Sequence, residues 1–141
     1  MILPDVNILV YAHRKESPYH QMAAKAVNKM ATSLSPFALC SFVCNSFLRL
    51  VTNHRIFAEP TPLEQALAFI ESLLELDHCT LVEPGDRHWT IFSTLLRKSK
   101  STGNLITDAY LAAISVEHGL ELLTRDSDFK RFPELKIQEL V

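Results

Sequence analysis

Four aspartates stand where their type and spacing could do chemistry: Asp5, Asp108, Asp126 and Asp128. Asp5 directly follows the short apolar run Met1–Pro4. Asp126 and Asp128 directly follow the apolar run Leu120–Thr124. Asp108 lies in the first turn or two of a helical stretch, Leu105–His118, that Gly119 closes as a C-terminal cap. Leu105, Ala109, Ala112 and Val116 form the apolar stripe of that stretch. At about 100° per residue, Asp108 falls inside the stripe, about 40° from Ala112 and about 60° from Leu105. A carboxylate on a core-facing stripe has to be paired, hydrogen-bonded or bound to metal; the plainer alternative is an Asp stabilised by the helix N-terminus. Carboxylates packed together repel unless a cation sits between them. Oxygen ligands suit Mg²⁺ or Mn²⁺. Such an ion lowers the pKa of a bound water and stabilises charge on a phosphoester, so the chemistry is metal-assisted phosphoester cleavage.

The elements that must position these acids alternate between short apolar runs and helical periods. A strand at Met1–Pro4 leads into a helix over Val6–His13. Ser17-Pro18 predicts an N-cap and first helical position, followed by a stripe of Tyr19, Met22, Ala23, Ala26, Val27 and Met30. Phe37–Phe42 reads as a buried strand and Val43–Asn53 as a helix. Thr61-Pro62-Leu63-Glu64 has the form of a capping box, and Leu63–Leu74 continues as a helix. Thr80–Glu83 reads as a strand. Asp86 is the expected cap of a helix carrying Trp89, Phe92, Leu95 and Leu96, and Asn104 of the Asp108 helix. Leu120–Thr124 and Lys136–Leu140 are the last strands. Strands separated by helices imply βαβ units and a mostly parallel sheet of four to five strands. Ligands of such sheets bind beyond the carboxyl ends of the strands, the edge where all four acids fall.

Composition narrows the possibilities. The 141 residues carry 14 basic and 16 acidic side chains, a net charge of −2, and 48 % are hydrophobic. This is a globular balance of one domain spanning 1–141. The charge argues against holding nucleic acid by bulk electrostatics alone. No apolar run is long enough for a membrane helix, and the N-terminal residues lack a signal-peptide pattern, so a cytoplasmic location is expected. Cys40, Cys44 and Cys79 are an odd count, read as buried free thiols and neither a zinc site nor a nucleophile. The six histidines have no metal-ligand spacing.

With the acids placed, the chain resembles the PIN-domain ribonucleases, and among them a VapC-type toxin of a bacterial toxin–antitoxin pair. The resemblance rests on Asp5-Val6-Asn7, on Phe47-Leu48-Arg49 continuing into Val51-Thr52-Asn53, on Ile106 to Ala113 with Asp108 inside it, and on Leu123-Thr124-Arg125-Asp126-Ser127-Asp128-Phe129. It covers essentially the whole chain. It implies a PIN-like α/β/α sandwich, Mg²⁺ or Mn²⁺ as cofactor, endonucleolytic cutting of RNA, a homodimer and a VapB-like antitoxin partner. Asp5 matches the first metal acid of the family and Asp108 the third. Asp126 matches the fourth, with Asp128 a near alternative. The second acid is missing: the family often has Glu where this chain has Ser46, which could instead orient a metal-bound water.

Supporting residues keep two readings each. Asn7 either orients a metal water or phosphate, or bonds the next helix's backbone. Asn104 either caps its helix or contacts substrate. Arg49 pairs with an acid or phosphate, or forms a structural ion pair. Arg97, Lys98 and Lys100 meet RNA phosphates or form a solvated loop. Tyr19, Met22 and the Leu63–Leu74 helix carry apolar surface suited to a homodimer. Two rival functions stand beside the endoribonuclease: a catalytically weak PIN domain that mainly binds antitoxin or RNA, and a phosphohydrolase on a similar sheet. The latter needs a second acid near Asp5, where the chain has Asn7.

Overall fold

A computed structural model describes residues 1–140. Five strands form one wholly parallel sheet in the order β3-β2-β1-β4-β5. They are β1 (Ile2–Pro4), β2 (Phe37–Cys40), β3 (Cys79–Val82), β4 (Glu121–Thr124) and β5 (Lys136–Glu139). Six helices connect them: α1 (Val6–His13), α2 (His20–Thr32), α3 (Ser41–Val51), α4 (Leu63–Leu74), α5 (His88–Ser99) and α6 (Asn104–Glu117). A short 3-10 turn, Ser127–Arg131, links β4 to β5. Helices α1 to α4 pack with one another, and α5 packs with α6. Right-handed crossovers then set the two groups on opposite faces of the sheet, giving the expected α/β/α sandwich.

The central strands are short and buried on both faces, as parallel strands are. All of β2 is buried, and Phe37, Phe47, Phe129 and Phe132 are among the largest fully enclosed side chains. Strand β1 lies between β2 and β4, with Pro4 opposite Leu123. Asp5 and Thr124 thus emerge side by side at the carboxyl edge. Helix α6 is buried almost all round from Ala109 to Ser115, apart from half-buried Tyr110. That clamps the segment carrying Asp108.

The helix starts and their caps differ at several points from the sequence expectations, in part because side chains from elsewhere in the fold take up the groups concerned. Strand β2 ends at Cys40, short of Phe42, because the Glu83 carboxylate accepts the Ser41 N–H at 2.8 Å and its hydroxyl at 2.5 Å, opening α3 there. Helix α2 starts at His20, and Ser17 accepts the Tyr19 N–H in the turn before it. Thr61 makes no capping bond to α4; its hydroxyl is held by His13 and by Arg14, each at 3.0 Å. Asp86 does not cap α5, which has no side-chain cap. Glu117 instead holds the turn before the helix, accepting the N–H groups of Gly85 at 2.7 Å and Arg87 at 3.0 Å. A Cβ at Gly85 would lie 2.7 Å from the Glu117 carboxylate, so a side chain there would require that carboxylate to shift. Asn104 is the first residue of α6 and not its cap; that position is Gly103, at φ 60°, a backbone region costly for other residues.

The Glu117 arrangement is testable. Glu117→Ala leaves two N–H groups of the turn before α5 without their acceptor and should lower stability by about 1–2 kcal/mol, the net worth of the lost hydrogen bonds, measured by urea denaturation.

Candidate active site

The edge chemistry is built from the end of β1. Asp5 is 6 % exposed. One carboxylate oxygen accepts the Val6 N–H at 2.7 Å, capping α1, and the other accepts the Thr124 hydroxyl at 2.9 Å. The same Thr124 oxygen accepts the Asp126 N–H at 3.0 Å, and Asp126 accepts the Asp128 N–H at 2.8 Å. One connected chain of bonds therefore runs from the floor of the site, Asp5, to its rim, Asp128.

Asp108, Asp126 and Asp128 each bring an oxygen within 4.8 Å of the others'. Asp5 is not one of these three; it lies beneath them and shares with Asp108 and Asp126 the wall of a cleft of about 170 Å³. Asn7, Ser46, Arg49 and Thr107 also line the cleft, with Phe42 and Phe129 at its apolar sides. The Ser46 side of α3 faces the acids, so the position of the absent second acid does border the site. Asn7 is exposed on the first turn of α1. Asn104 is exposed and outside the cleft lining. Arg49 is exposed at the cleft. In the basic cluster, Lys98 is tied to Glu134 at 2.8 Å, while Arg97 and Lys100 are exposed.

The electrostatics mark the site. Burial raises the Asp5 pKa to about 6, the Asp126 charge adds to this, and the Thr124 and Val6 hydrogen bonds oppose it. Burial also raises the Asp108 pKa to about 6, reinforced by the charges of Asp126, Asp5 and Asp128 and opposed by Arg131. Arg131 approaches Asp128 at 3.5 Å, a partial counter-charge at the rim. Such raised carboxylates in a cleft are what a site awaiting a cation presents. The donor set is all oxygen and carboxylate-rich, which fits Mg²⁺ or Mn²⁺. The cysteines join no such group among the described residues. Burial pushes the Cys40 and Cys44 thiols up to about 11 and about 12, leaving them inert.

The sequence reading missed Thr124, whose hydroxyl joins Asp5 to Asp126. Its spacing, two residues before Asp126, is that of a hydroxyl bonding a backbone N–H two residues on. Arg131 and Thr107 were also missed, although both are local to an acid: Thr107 directly precedes Asp108, and Arg131 pairs with Asp128 three residues before it.

The chain belongs to the PIN domain family, whose model matches residues 2–135. Within it, the chain is 38 % identical over 136 residues to "Ribonuclease VapC25" of Mycobacterium tuberculosis, covering 96 % of each chain. "Ribonuclease VapC33" of the same species is 34 % identical, over 96 % of this chain and 95 % of that one. Among solved structures, the VapBC2 complex of Rickettsia felis bound to a promoter DNA fragment matches with a TM-score of 0.71 at 20 % identity, over 100 % of both chains. VapC20 of Mycobacterium tuberculosis, a toxin cleaving the sarcin-ricin loop, matches with a TM-score of 0.65 at 16 % identity, over 92 % of this chain and 93 % of that one.

The raised pKa values set a sign for stability. The folded state holds protons on Asp5 and Asp108 up to about pH 6, above the ordinary value of 3.8 for an unfolded Asp. Metal-free stability therefore falls as pH rises from about 4 to about 6, and stays lower above that. Asp108→Asn should raise the metal-free melting temperature by a few degrees at pH 7.5, with the gain vanishing near pH 4. Calorimetry across that range checks it, and a pH-independent difference would refute the charge argument.

Proposed function

We propose that this chain is a metal-dependent endoribonuclease, the toxin of a VapBC-type pair, formed by a single PIN-like domain over 1–141 and acting in the cytoplasm. One observation carries the reading: three carboxylates converge above buried Asp5 at the carboxyl edge of a PIN-domain sheet, in a chain whose full-length relatives are named ribonucleases. Among the described residues no helix is long and apolar enough to cross a membrane.

Asp108, Asp126 and Asp128 would hold Mg²⁺ or Mn²⁺, with Asp5 contributing from the floor. The bound ion supplies a lowered water pKa and charge neutralisation at the phosphate. The protein's own part is orientation. Thr124 fixes Asp5 and the Asp126 backbone together, so the floor and the rim cannot move independently. Ser46 and Asn7 offer hydroxyl and amide groups that can orient water at the cleft wall. Arg49 is the cation positioned to meet a phosphate oxygen beside the acids.

RNA is the substrate and a VapB-like antitoxin the restraining partner. A guanidinium from that partner would match the carboxylate cluster in charge and geometry. We include a homodimer in the proposal. Of the apolar surface read as suited to it, Tyr19 and Met22 are half-buried and Leu63 is 58 % exposed; on the α5–α6 side Trp89 is 71 % exposed and Ile106 41 %, and we place the interface there. Trp89→Glu should convert a dimer to a 16.0 kDa monomer in sedimentation velocity; an unchanged dimer would place the interface elsewhere.

Ser46 favours a second reading, a catalytically weak PIN domain, because it leaves the family's second acid position without charge. Cleavage of single-stranded RNA with Mn²⁺ separates the readings. Cleavage should be present in the parent chain and reduced at least ~100-fold in Asp108→Asn, the scale of losing a group that stabilises transition-state charge. Ser46→Glu should lower the Mn²⁺ midpoint roughly tenfold, equivalent to about 1.4 kcal/mol. An unchanged midpoint would mean that position 46 does not address the ion.

A further inference from the structure

Beside the acid cleft lies a second hollow of about 310 Å³, lined by Asn7, Tyr11, Tyr19, Arg125 and Asp126. Asn7 and Asp126 belong to both, so a strand leaving the acids past these two residues enters it. Its walls are unusual for this chain: an amide, two phenols and a guanidinium face one carboxylate. The Arg125 guanidinium stacks over the Tyr19 ring, 4.0 Å from its centroid. Tyr19 in turn leans on Tyr11, with ring centroids 5.1 Å apart. Stacking occupies the flat face of a guanidinium and leaves its N–H edge to bond. The bond that edge makes is a long one, 3.5 Å to the Leu140 carbonyl, and Arg125 is exposed and joins no ion pair among the described residues. The hydrogen bonds of Tyr11 and Tyr19 run through backbone atoms, and both side chains line the hollow. The Asp126 carboxylate already accepts the Asp128 N–H on one oxygen.

We propose that this hollow is a phosphate subsite for the RNA strand, holding a backbone phosphate next to the one that is cut. The proposal rests on the ribonuclease reading above. The chemistry of the walls selects the ligand. Guanidinium, phenol and amide all donate, which suits an anion, and the guanidinium edge matches phosphate oxygens in pairs. The need is physical as well. A chain of net charge −2 with an acidic cleft repels a polyanion, so a cation beside the cleft must hold the strand in register. Arg131 is drawn to Asp128 at 3.5 Å and Lys98 to Glu134 at 2.8 Å. Arg49 stands at the wall of the acid cleft itself; in the adjoining hollow the cation is Arg125, whose N–H edge makes the one long bond to Leu140. Phosphate contacts of this kind set register and orientation without reading bases, so the subsite would fix where the strand lies relative to the acids.

The test uses the Asp108→Asn chain, which binds without cutting, and a fluorescein-labelled single-stranded RNA oligonucleotide, with anisotropy read over a salt series. Arg125→Ala in that background should weaken binding roughly tenfold and make the slope of log affinity against log salt shallower by about 0.7, one phosphate contact's share on a single strand. Arg125→Lys should retain the slope, because the charge remains, while losing part of the affinity with the stacked fork. An Arg125→Ala slope equal to that of its background overturns the subsite alone, provided that the parent chain cuts RNA. A parent chain that fails to cut RNA with Mg²⁺ or Mn²⁺ overturns the ribonuclease reading and the subsite with it. If Arg125→Ala leaves RNA binding intact but weakens the antitoxin complex, the hollow belongs to a protein partner and the proposal falls.

Discussion

A carboxylate at the end of the central strand, 6 % exposed, is the constraint around which this molecule is arranged. Burying Asp5 costs free energy unless its oxygens are answered. The answers come from two directions: the Val6 N–H, which exists as a donor because α1 starts there, and the Thr124 hydroxyl, which arrives because β4 pairs with β1 in the register Pro4 to Leu123. Slipping that register by one residue would turn Thr124 to the other face of the sheet. Helix start, strand order and strand register are thus all written into one side chain's hydrogen bonds.

Those bonds satisfy the hydrogen-bonding needs of Asp5 but not the charge of the cluster. Asp108 has three acids among the causes that raise its pKa and one opposing cation, Arg131. The remainder of the fold compensates. Helix α6 is enclosed for most of its length, Glu117 ties its far end to the start of α5, and the Thr61 hydroxyl joins α1 to the loop before α4. Rigidity at a distance keeps mutually repelling groups in place. Proteins commonly hold such local strain at functional sites and offset it elsewhere.

The architecture was legible in the sequence because apolar runs and helical stripes report burial directly. Asp108 was legible for the same reason, as an acid on an apolar stripe. The caps were not. Thr61 with Glu64 has the local form of a capping box, yet the Thr61 hydroxyl is taken by His13 and Arg14 from a distant segment, and no local rule anticipates that competitor. Asp86 likewise caps nothing, because α5 starts without a side-chain cap and Glu117, from the end of α6, holds the turn before it. Thr124 escaped notice because its importance lies in what β1 places opposite it. Pairing of Arg125 with Tyr19 is likewise a product of the β1–β4 neighbourhood and has no local signature.

The bond between Thr124 and Asp5 also has a consequence in time. During synthesis the residues that make β1 and α1 leave the ribosome early, whereas Thr124, Asp126 and Asp128 follow more than a hundred residues later. Until β4 has been made and has inserted beside β1, Asp5 lacks its hydroxyl partner and the three-acid group does not exist. Parallel pairing over such separations is slow to form. A nascent chain therefore carries an unfinished centre for most of its time on the ribosome, and the acids are first brought together only after nearly all of the sheet has been translated.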